Sequence, residues 1–475
     1  MKKGDELELE IESFAFEGKG IAKVKGLEFG DKKFVIFVDS AYPGDILKVK
    51  ITRSRKSYSE AKILDIIKPS KDRTDPKCKF FGTCGGCKQQ NLLYDSQLYY
   101  KELQIKDTLE RIGGLTDINI KLIIGSENKF YYRNKMEFSF SDKRWITNQE
   151  VSNGNVIKDK NFALGLHIPR IYDKVLDIDE CFLQSELSNQ ILNFTRDYFK
   201  SKNASIYSTK SHEGFLRNLV VRQSYRTKDL MVNLVTSSYE ENLIKTYADE
   251  LLSNVPQITT IVNNINIKKS QVAVGDYEKV IYGDGFIYDK IGDFKFRISA
   301  NSFFQTNTSQ AEQLYKVIAE FSEASPNNII YDLYSGTGTI SVYMSNSAKK
   351  VFSFESIDSA LEDAKTNCLI NGIENINCIK ADLNKSFLPL IQKNSILDPD
   401  IIILDPPRSG MNPKTVKDII KLSPPKIVYV SCNPASQARD ISILCKEGYK
   451  PECVQPVDMF PHTYHIENVA LLIQT

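Results

Sequence analysis

A thiol and two carboxylates stand at the ends of apolar stretches in the C-terminal part of the chain, where they could carry out covalent and acid–base chemistry. Cys432 follows the stretch KIVYVS, Asp405 follows IIIL, and Glu467 stands just before VALLIQT. A cysteine at a strand end is most often a small buried hydrophobe. Neighbouring parallel strands, however, end at one edge of a sheet, where ligands bind. Cys432 and Asp405 are therefore predicted to face each other across a substrate crevice, which makes Cys432 a candidate nucleophile.

The chemistry that suits this set is methylation of a pyrimidine ring. A thiolate that adds to carbon 6 of uracil turns carbon 5 into an enolate-like carbon, which can attack a sulfonium methyl group. A base must then remove the carbon 5 proton so that the thiolate can leave. The run DMFPHTYHIE offers Glu467, whose pKa burial would raise, and the histidines His462 and His465. The residues alone favour neither the glutamate nor the histidines, and they assign no group to the deprotonation of Cys432.

A glycine-rich turn, SGTGT at 335–339, connects a strand pattern to a helix pattern and predicts a ligand held close to the backbone. It is neither a phosphate-binding P-loop nor a complete dinucleotide fingerprint. Glu355 ends the next strand, where it could accept hydrogen bonds from ribose hydroxyls, and Asp382 closes the third strand, within reach of an adenine. These features predict an adenosine-containing ligand. Nicotinamide dehydrogenases share them, so the stiff Asp-Pro-Pro rim at Asp405 and the thiol beyond it decide for a methyl donor.

Three cysteines fall on one short loop, Cys78, Cys84 and Cys87 in KCKFFGTCGGCKQQ, and Cys181 is the best candidate for a fourth ligand. Cysteines stay reduced in a cytosolic protein, so a cluster of them calls for a metal or catalytic role. Four thiolates hold either zinc or an iron–sulfur cluster. The Cys-x5-Cys-x2-Cys spacing differs from the paired knuckles of most zinc sites, and the residues alone leave both alternatives open.

Five segments with different patterns must position these residues. Residues 1–66 show short alternating strands typical of a small all-β barrel, 67–90 form the cysteine loop, and 91–125 begin with a helical pattern that ends in Gly-Gly. Residues 126–296 predict a mainly antiparallel, β-rich region. From 297 to 475 strands and helices alternate, which predicts a Rossmann-like parallel sheet. The expectation is a multidomain α/β protein in which the helical segment packs on the last domain.

Composition limits the class of protein. The chain has 475 residues, 41% of them hydrophobic, and a formal net charge of +2, which fits several folded domains rather than disorder. The N-terminus lacks a signal-peptide core, and no apolar stretch reaches the ~20 residues of a membrane span. We therefore expect a cytoplasmic, monomeric protein without membrane association. The stretch 48–62 is locally basic and is a candidate for contact with nucleic acid.

The motifs together resemble one family, the RNA uracil-C5 methyltransferases, which form 5-methyluridine. The resemblance rests on FFQTN (303–307), DLYSGTGT (332–339), DPPRSG (405–410), SCNPASQARD (431–440) and DMFPHTYHIE (458–467), and it extends to YYRNKMEFSF (131–140) and HEGFLRNLVVR (212–222). GKGIAKVKG and FVIFVDSAYPGD resemble a TRAM domain, an OB-like RNA-binding barrel. The barrel and the cysteine loop together point to the branch that modifies 23S ribosomal RNA, because the tRNA branch typically lacks both.

This resemblance implies roles for individual residues. Cys432 would be the nucleophile that forms a covalent adduct with uracil carbon 6, and Glu467 would be the base. The positions that would bind S-adenosylmethionine are Gln305, Tyr334, Gly336, Gly338, Thr339, Glu355, Asp382 and Asp405. Those that would hold a [4Fe–4S] cluster are Cys78, Cys84, Cys87 and Cys181. At the positions of Thr339 and Asp382 some members of the family carry asparagine.

The substrate would be single-stranded or unfolded RNA from which a uridine is flipped into the site, because carbon 6 is inaccessible inside a helix. The same chemistry on tRNA is the alternative substrate, and a non-catalytic iron–sulfur RNA-binding protein is the alternative from another class. An RNA cytosine-C5 methyltransferase would be expected to carry a second cysteine on the rim that here reads DPPR. A radical methylase would need a Cys-x3-Cys-x2-Cys loop, which differs from the spacing present.

Overall fold

The computed structural model describes the chain except for residues 16–17, 30–31, 153–158 and 271. The N-terminal strands are β1 (Glu6–Glu10), β2 (Ser13–Phe14), β3 (Lys19–Phe29), β4 (Lys32–Asp39), β5 (Ile46–Ser54) and β6 (Tyr58–Lys68). They form one six-stranded sheet in the order β1-β5-β6-β4-β3-β2. Alternate side chains, such as Ile36 and Val38 of β4 and Leu47 and Val49 of β5, point into a single small core, as the alternating sequence predicts.

A loop that carries three of the cysteines leads from β6 into a helix. The helix α1 (Tyr94–Thr108) continues as one π-helical turn (Leu109–Gly113) and ends at Gly114, whose left-handed φ of 67° suits a glycine; the short strand β7 (Asn119–Ile120) follows. Two polar side chains of α1, Gln97 and Lys101, are fully buried, which is rare for these residue types.

The middle of the chain forms a seven-stranded sheet. Its elements are α2 (Asn148–Ser152), α3 (Glu186–Ser201), α4 (Glu241–Asn254), β8 (Lys135–Ser141), β9 (Ala163–Ile168), β10 (Ile171–Asp177), β11 (Leu216–Gln223), β12 (Leu230–Thr236), β13 (Thr260–Ile265) and β14 (Tyr277–Tyr282). The strand order is β10-β9-β8-β11-β12-β13-β14, and every neighbouring pair is antiparallel except β12 and β13. That pair is parallel because α4 provides a crossover between the two strands.

The C-terminal region begins with a hairpin and continues as an eight-stranded sheet in the order β19-β18-β17-β20-β21-β23-β22-β7. The hairpin consists of β15 (Phe286–Ile291) and β16 (Phe294–Ser299), and the further strands are β17 (Ile329–Leu333), β18 (Lys350–Glu355), β19 (Ile376–Lys380), β20 (Ile401–Leu404), β21 (Lys426–Ser431), β22 (Tyr449–Val457) and β23 (Glu467–Gln474). The helices are α5 (Thr308–Ser322), α6 (Thr339–Met344), α7 (Asp358–Ile370), α8 (Leu388–Lys393), α9 (Pro413–Leu422) and α10 (Pro434–Cys445), with one 3₁₀ turn (Ser345–Ser347).

The strands from β17 to β21 are parallel, which confirms the predicted Rossmann-like sheet. Successive side chains of these strands enter two different cores, Ile330 and Val351 on one face and Tyr331 and Phe352 on the other. A sheet covered on both faces is built from such nearly continuous apolar strands. Among the described residues, no helix combines the length and the apolar character needed to cross a membrane.

Two features of this sheet go beyond the sequence-based expectation. The last strand, β23, lies between β21 and β22 and is antiparallel to both. The segment 91–125 contributes an edge strand as well as a helix, because β7 pairs with β22, and α1 with its π-helical turn packs on α10. The C-terminal sheet is therefore completed by residues that precede the central sheet in the chain.

Candidate active site

Cys432 and Glu467 lie at the same edge of the C-terminal sheet because their strands run in opposite directions. Ser431 at the end of β21 pairs with Asn468 of β23, so Cys432 follows and Glu467 precedes this pair of residues. Asp405 follows β20, the parallel neighbour of β21 on its other side. All three side chains line one cavity of about 430 Å³. The antiparallel last strand is thus what brings the carboxylate to the thiol.

Most of the predicted site residues meet in this cavity. Its walls are formed by Phe303, Gln305, Thr306, Tyr315, Tyr334, Ser335, Gly336, Thr337, Thr339, Ile340, Asp405, Pro406, Pro407, Arg408, Cys432, Phe460 and Glu467. The structure therefore brings together seven predicted residues, namely Gln305, Tyr334, Gly336, Thr339, Asp405, Cys432 and Glu467. Gly338, Glu355 and Asp382 are not among its walls.

The glycine turn has a left-handed backbone that its glycines adopt without strain and that lets a ligand approach closely. Tyr334, Gly336 and Gly338 have φ values of 69°, 55° and 74°, and Gly338 immediately precedes α6. A left-handed tyrosine is uncommon and persists only where its surroundings fix it. Glu355 supplies part of that support, because one oxygen of its buried carboxylate accepts a hydrogen bond of 2.9 Å from the Gly336 amide. Glu355 thus holds the turn that lines the cavity.

Asp382 lies outside this arrangement. It stands two residues beyond the end of β19, is exposed, and accepts hydrogen bonds from the backbone and side chain of Asn384. Lys385 forms an ion pair with it at 3.2 Å. Its predicted contact with adenine would require a ligand that extends beyond the cavity walls.

Hydrogen bonds fasten the Asp-Pro-Pro rim to the turn after Cys432. The side-chain nitrogen of Asn433 and the Ser436 hydroxyl both donate to the Arg408 carbonyl, at 2.9 Å and 3.1 Å. Asn433 also caps α10 by accepting a hydrogen bond from the Ala435 amide. The loops after β20 and β21 therefore hold Cys432 and the Arg408 side chain at one place.

The thiol and both carboxyl groups in the cavity have raised pKa values. Burial raises the pKa of Cys432 to about 11, and the charges of Glu467 and Asp405 act in the same direction. Burial also raises the pKa of Asp405 to about 7 and that of Glu467 well above its ordinary value. The charge of Arg408 opposes the shift at Cys432 and at Glu467, and its hydrogen bond to the thiol also lowers the pKa of Cys432. Arg408 is thus the cation that favours the ionised forms of the thiol and of this carboxylate.

Of the two histidines near Glu467, His462 is buried and His465 is half-buried, and neither lines the cavity. Burial lowers the pKa of His462 and of His465 to about 4, so both rings are neutral near pH 7. His462 contacts α1, and its ring lies 4.4 Å from that of Phe130, measured between centroids. The geometry places Glu467, and neither histidine, beside the thiol.

Some residues of the cavity were not singled out from the sequence. Arg408 is the most informative, since it is the one cation in the quoted motif DPPRSG and could have been noticed there. Phe303 exposes 66% of its surface at the cavity, and Phe460 contributes a second aromatic side chain. Their positions follow from loops whose conformation is set by tertiary contacts.

The four predicted metal-binding cysteines surround a separate small cavity. Cys78, Cys84 and Cys87 meet Cys181 there among mostly apolar neighbours. Hydrogen-bond donors point at every sulfur: the Gly86 amide at Cys84, the Gln90 side chain at Cys87, and backbone amides at Cys78 and Cys181. Among the described residues, no three His, Cys, Asp or Glu side chains stand close enough to hold a single metal ion.

Comparisons with known proteins agree with this geometry. The family model described as tRNA (Uracil-5-)-methyltransferase matches residues 234–475, and that of the TRAM domain matches residues 1–64. A protein of Chlorobaculum tepidum that is named an uncharacterized RNA methyltransferase is 41% identical over 99% of this chain and 96% of its own length. One of Bacteroides thetaiotaomicron with the same description is 42% identical over 96% of this chain and 99% of its own.

A solved structure is also similar over almost the whole chain. The crystal structure of Pyrococcus abyssi tRNA (uracil-54, C5)-methyltransferase in complex with S-adenosyl-L-homocysteine has a TM-score of 0.73 and 29% identity. The match covers 98% of this chain and 100% of that one. The similarity therefore includes the N-terminal sheet and the central sheet as well as the region of the cavity.

Proposed function

Because this chain belongs to the tRNA (uracil-5-)-methyltransferase family of S-adenosylmethionine-dependent RNA methyltransferases, we propose that it methylates carbon 5 of a uridine in 23S ribosomal RNA. The observation that carries the proposal is the meeting of Cys432, Asp405 and Glu467 in one cavity beside the glycine turn. A thiol, a cation that favours its thiolate and a carboxylate within one cavity are the parts that covalent activation of a pyrimidine needs. S-adenosylmethionine supplies the methyl group as a sulfonium electrophile.

In the proposed reaction Cys432 attacks carbon 6 of the uracil as a thiolate. A bond forms between Sγ and carbon 6, and the electrons of the ring double bond move toward the carbonyl at carbon 4. Carbon 5 then attacks the methyl group of S-adenosylmethionine, whose bond to sulfur breaks so that S-adenosylhomocysteine leaves, and the Glu467 carboxylate removes the carbon 5 proton. The double bond re-forms as the bond between Sγ and carbon 6 breaks. Arg408 favours the thiolate at the beginning and at the end of this sequence.

The raised pKa of Glu467 suits a group that must gain a proton and later lose it. A carboxylate in an apolar wall is a stronger base than one in water. It must be ionised when it acts, and the nearby charge of Arg408 favours that form. Glu467 lines the cavity and neither histidine does, which supports the proposal that Glu467, and not a histidine, is the base.

The four cysteines fit an iron–sulfur cluster better than a single zinc ion. Zinc sites usually pair Cys-x2–4-Cys knuckles, unlike the Cys-x5-Cys-x2-Cys spacing of Cys78, Cys84 and Cys87. A polynuclear cluster spreads its ligands farther apart, and amide donors to the sulfurs are typical of its surroundings. We therefore propose that Cys78, Cys84, Cys87 and Cys181 hold a [4Fe–4S] cluster. Iron and acid-labile sulfide in equal amounts would support this assignment, and zinc without sulfide would contradict it.

The substrate proposal includes a second candidate. The Pyrococcus abyssi protein, named for a tRNA uracil, matches 98% of this chain. The presence of an N-terminal barrel therefore does not by itself separate rRNA enzymes from tRNA enzymes, and a tRNA uridine is the second candidate. The exposed residues Arg53, Arg55 and Lys56, next to the second half of β5, would contact RNA phosphates in either case.

The test is to map methylation on both RNAs. Unmodified 23S rRNA and tRNA would be incubated with the protein and labelled S-adenosylmethionine, and 5-methyluridine would be located by nuclease digestion and mass spectrometry. Label in 23S rRNA supports the first candidate, and label in tRNA alone supports the second. Cys432→Ala is the negative control. No 5-methyluridine in either RNA would overturn the proposal.

A further inference from the structure

The loop between β22 and β23 connects the four-cysteine centre to the candidate active site. We infer that His462, in this loop, is a positioning residue that couples the cysteine loop to Glu467. The inference rests on the proposed role of Glu467 as the base. It assigns a task to a residue that the proposed chemistry does not use.

His462 is held at every polar group except its distal ring nitrogen. Its amide donates to the Gln97 side-chain oxygen at 2.9 Å, and its ring Nδ1 lies 3.2 Å from the Gln97 nitrogen. Its carbonyl accepts hydrogen bonds from the amides of Lys88 and Gln89, at 2.8 Å and 3.0 Å. Phe130 covers the ring. Such a set of contacts fixes both the backbone and the side chain of one residue.

The backbone of His462 is also strained. Its φ of 65° lies in the left-handed region, which only a few per cent of residues other than glycine adopt, histidine more often than most. Strain of this kind persists only where the surroundings impose it, and it is common at functional sites. The contacts with Gln97, Lys88 and Gln89 are the groups that impose it here.

The cysteine loop and the segment that contains Cys181 are both connected to His462 through neighbouring residues. Lys88 and Gln89 directly follow Cys87 in the chain, so the two amides that bind the His462 carbonyl belong to the cysteine loop. Phe182 directly follows Cys181, and its ring contacts Phe130 at 6.4 Å between centroids. A change in the arrangement of the four sulfurs therefore moves groups that touch His462 directly or through one ring.

The other side of His462 leads to the active site. Phe460 precedes it by two residues and Glu467 follows it by five, and both line the cavity that contains Cys432. The beginning of the loop is fixed, because the buried carboxylate of Asp458 forms an ion pair with Lys101 at 2.7 Å. The end is fixed where β23 pairs with β21. The segment between β22 and β23 is therefore fixed at both ends, and His462 is the residue between them that contacts the cysteine loop.

Hydrogen exchange tests the coupling without any need for turnover. In the full-length protein, His462→Gly keeps the left-handed backbone accessible and removes the ring, whereas His462→Asn keeps a side-chain oxygen that can accept from Gln97. We expect the amides of 460–468 to exchange faster in His462→Gly and in Cys87→Ser, and His462→Asn to restore slow exchange. The matched controls are His212→Gly, a residue with φ of 60° in an exposed loop, and Cys445→Ser. Unchanged exchange of 460–468 in both His462→Gly and Cys87→Ser would overturn the inference, whatever the activity.

Kinetics distinguish positioning from simple structural support. Misplacement of Glu467 slows the removal of the carbon 5 proton after the methyl group has been transferred, so we expect kcat of His462→Gly to fall by about tenfold to a hundredfold. KM for S-adenosylmethionine should stay unchanged, and a methylated protein–RNA adduct that resists denaturation should accumulate. A parallel loss of adduct formation and turnover would overturn the positioning role. If the parent protein methylates neither RNA while the exchange coupling is present, the proposed function fails and the coupling stands.

Discussion

In the proposed reaction Cys432 acts as a thiolate, and its neighbours change its pKa in opposite directions. Burial and two carboxyl groups raise it, whereas the Arg408 guanidinium lowers it. Near pH 7 the thiol is therefore mostly protonated, and the charge of Arg408 decides how large the ionised fraction is. The chemistry of the site at the scale of single residues depends on this balance.

Replacing Arg408 should move the pH dependence of methylation. Reaction requires ionised Cys432 and Glu467, so the rate rises as pH rises through their pKa values. Because Arg408 lowers both pKa values, Arg408→Ala should shift the rising limb to higher pH and reduce the rate near pH 7 by about tenfold, the effect of one pKa unit. Arg408→Lys should shift it less. Single-turnover rates between pH 6 and 10 measure the shift, Lys414→Ala is the control, and an unmoved profile would contradict the role of Arg408.

Replacing Glu467 should stop the reaction at a defined point. In Glu467→Gln the thiolate and the methyl donor remain, but no carboxylate accepts the carbon 5 proton. We expect a methylated protein–RNA adduct that survives denaturing electrophoresis, with turnover reduced by about a hundredfold or more. Cys432→Ala should form no adduct at all. Normal turnover of Glu467→Gln would place the base elsewhere.

At this scale the sequence predicts the residues that stand at strand ends and misses those whose position depends on loops. Cys432 and Asp405 could be placed because the end of a strand in a parallel sheet lies at a known edge, whereas Glu467 begins the antiparallel strand β23, whose position the local pattern does not show. The sequence does not show whether Glu467 or one of the histidines is the base, because nothing in the run DMFPHTYHIE indicates which side chain points to the thiol. That choice depends on Gln97 and Phe130, which lie far away in the sequence and hold His462 outside the cavity.

At the scale of elements, the connection between β17 and α6 determines how closely a ligand approaches the backbone. Gly338 combines a φ of 74° with a close neighbour, because a Cβ at this position would lie 3.0 Å from the Cβ of Ala364 in α7. Gly372 has a similar φ of 64° and no atom within 4 Å of such a Cβ. Substitution at Gly372 would introduce backbone strain alone, whereas substitution at Gly338 would introduce backbone strain together with a close contact.

Alanine at these two positions should therefore have different effects. Both Gly338→Ala and Gly372→Ala should lower the free energy of unfolding by about 1–2 kcal/mol, since both force a left-handed alanine. Only Gly338→Ala should also weaken binding of S-adenosylmethionine, because relief of the contact with Ala364 moves the turn. Denaturant unfolding and calorimetric titration measure the two quantities. Equal loss of binding in both variants would show that crowding at Gly338 does not matter.

The order of strands in the C-terminal sheet could be predicted only where it follows from the local sequence pattern. Alternation of strands and helices from 297 onward predicts parallel pairing, and the structure confirms it from β17 to β21. The position of β23 between β21 and β22, and the pairing of β7 with β22, depend on contacts between distant segments. A two-residue strand such as β7 has no periodicity from which it could be recognised.

At the scale of the whole molecule, a buried ion pair connects the segment after the N-terminal sheet to the last loop. Lys101 of α1 and Asp458 are both fully buried, and Asp458 also accepts a hydrogen bond of 2.8 Å from the Tyr94 hydroxyl. A buried charge that loses its partner is costly, whereas replacing both charges often costs little. This pair therefore fixes the relation between two distant parts of the chain.

Breaking the pair on one side should destabilise the protein strongly. Lys101→Met should lower the free energy of unfolding by about 3–5 kcal/mol, because it leaves the Asp458 carboxylate buried without a cation. The double variant Lys101→Met with Asp458→Asn should recover much of that loss. Lys245→Met, which breaks the exposed pair with Glu241, is the control and should change stability little. Urea unfolding followed by circular dichroism measures all three, and equal effects in the first and last variants would contradict this account.

The pairing of β7 with β22 also has a consequence for the order in which the protein is made. Residues 94–120 leave the ribosome early, but part of the surface on which α1 and β7 pack belongs to residues 434–457. The buried side of α1, which includes Gln97, Lys101 and Ile105, must therefore wait for almost the entire chain to be synthesised before it is fully covered. Slow closure of such distant contacts exposes a nascent chain to aggregation. A transcript that ends before β22 would consequently yield a protein with an uncovered first helix, and not a smaller working enzyme.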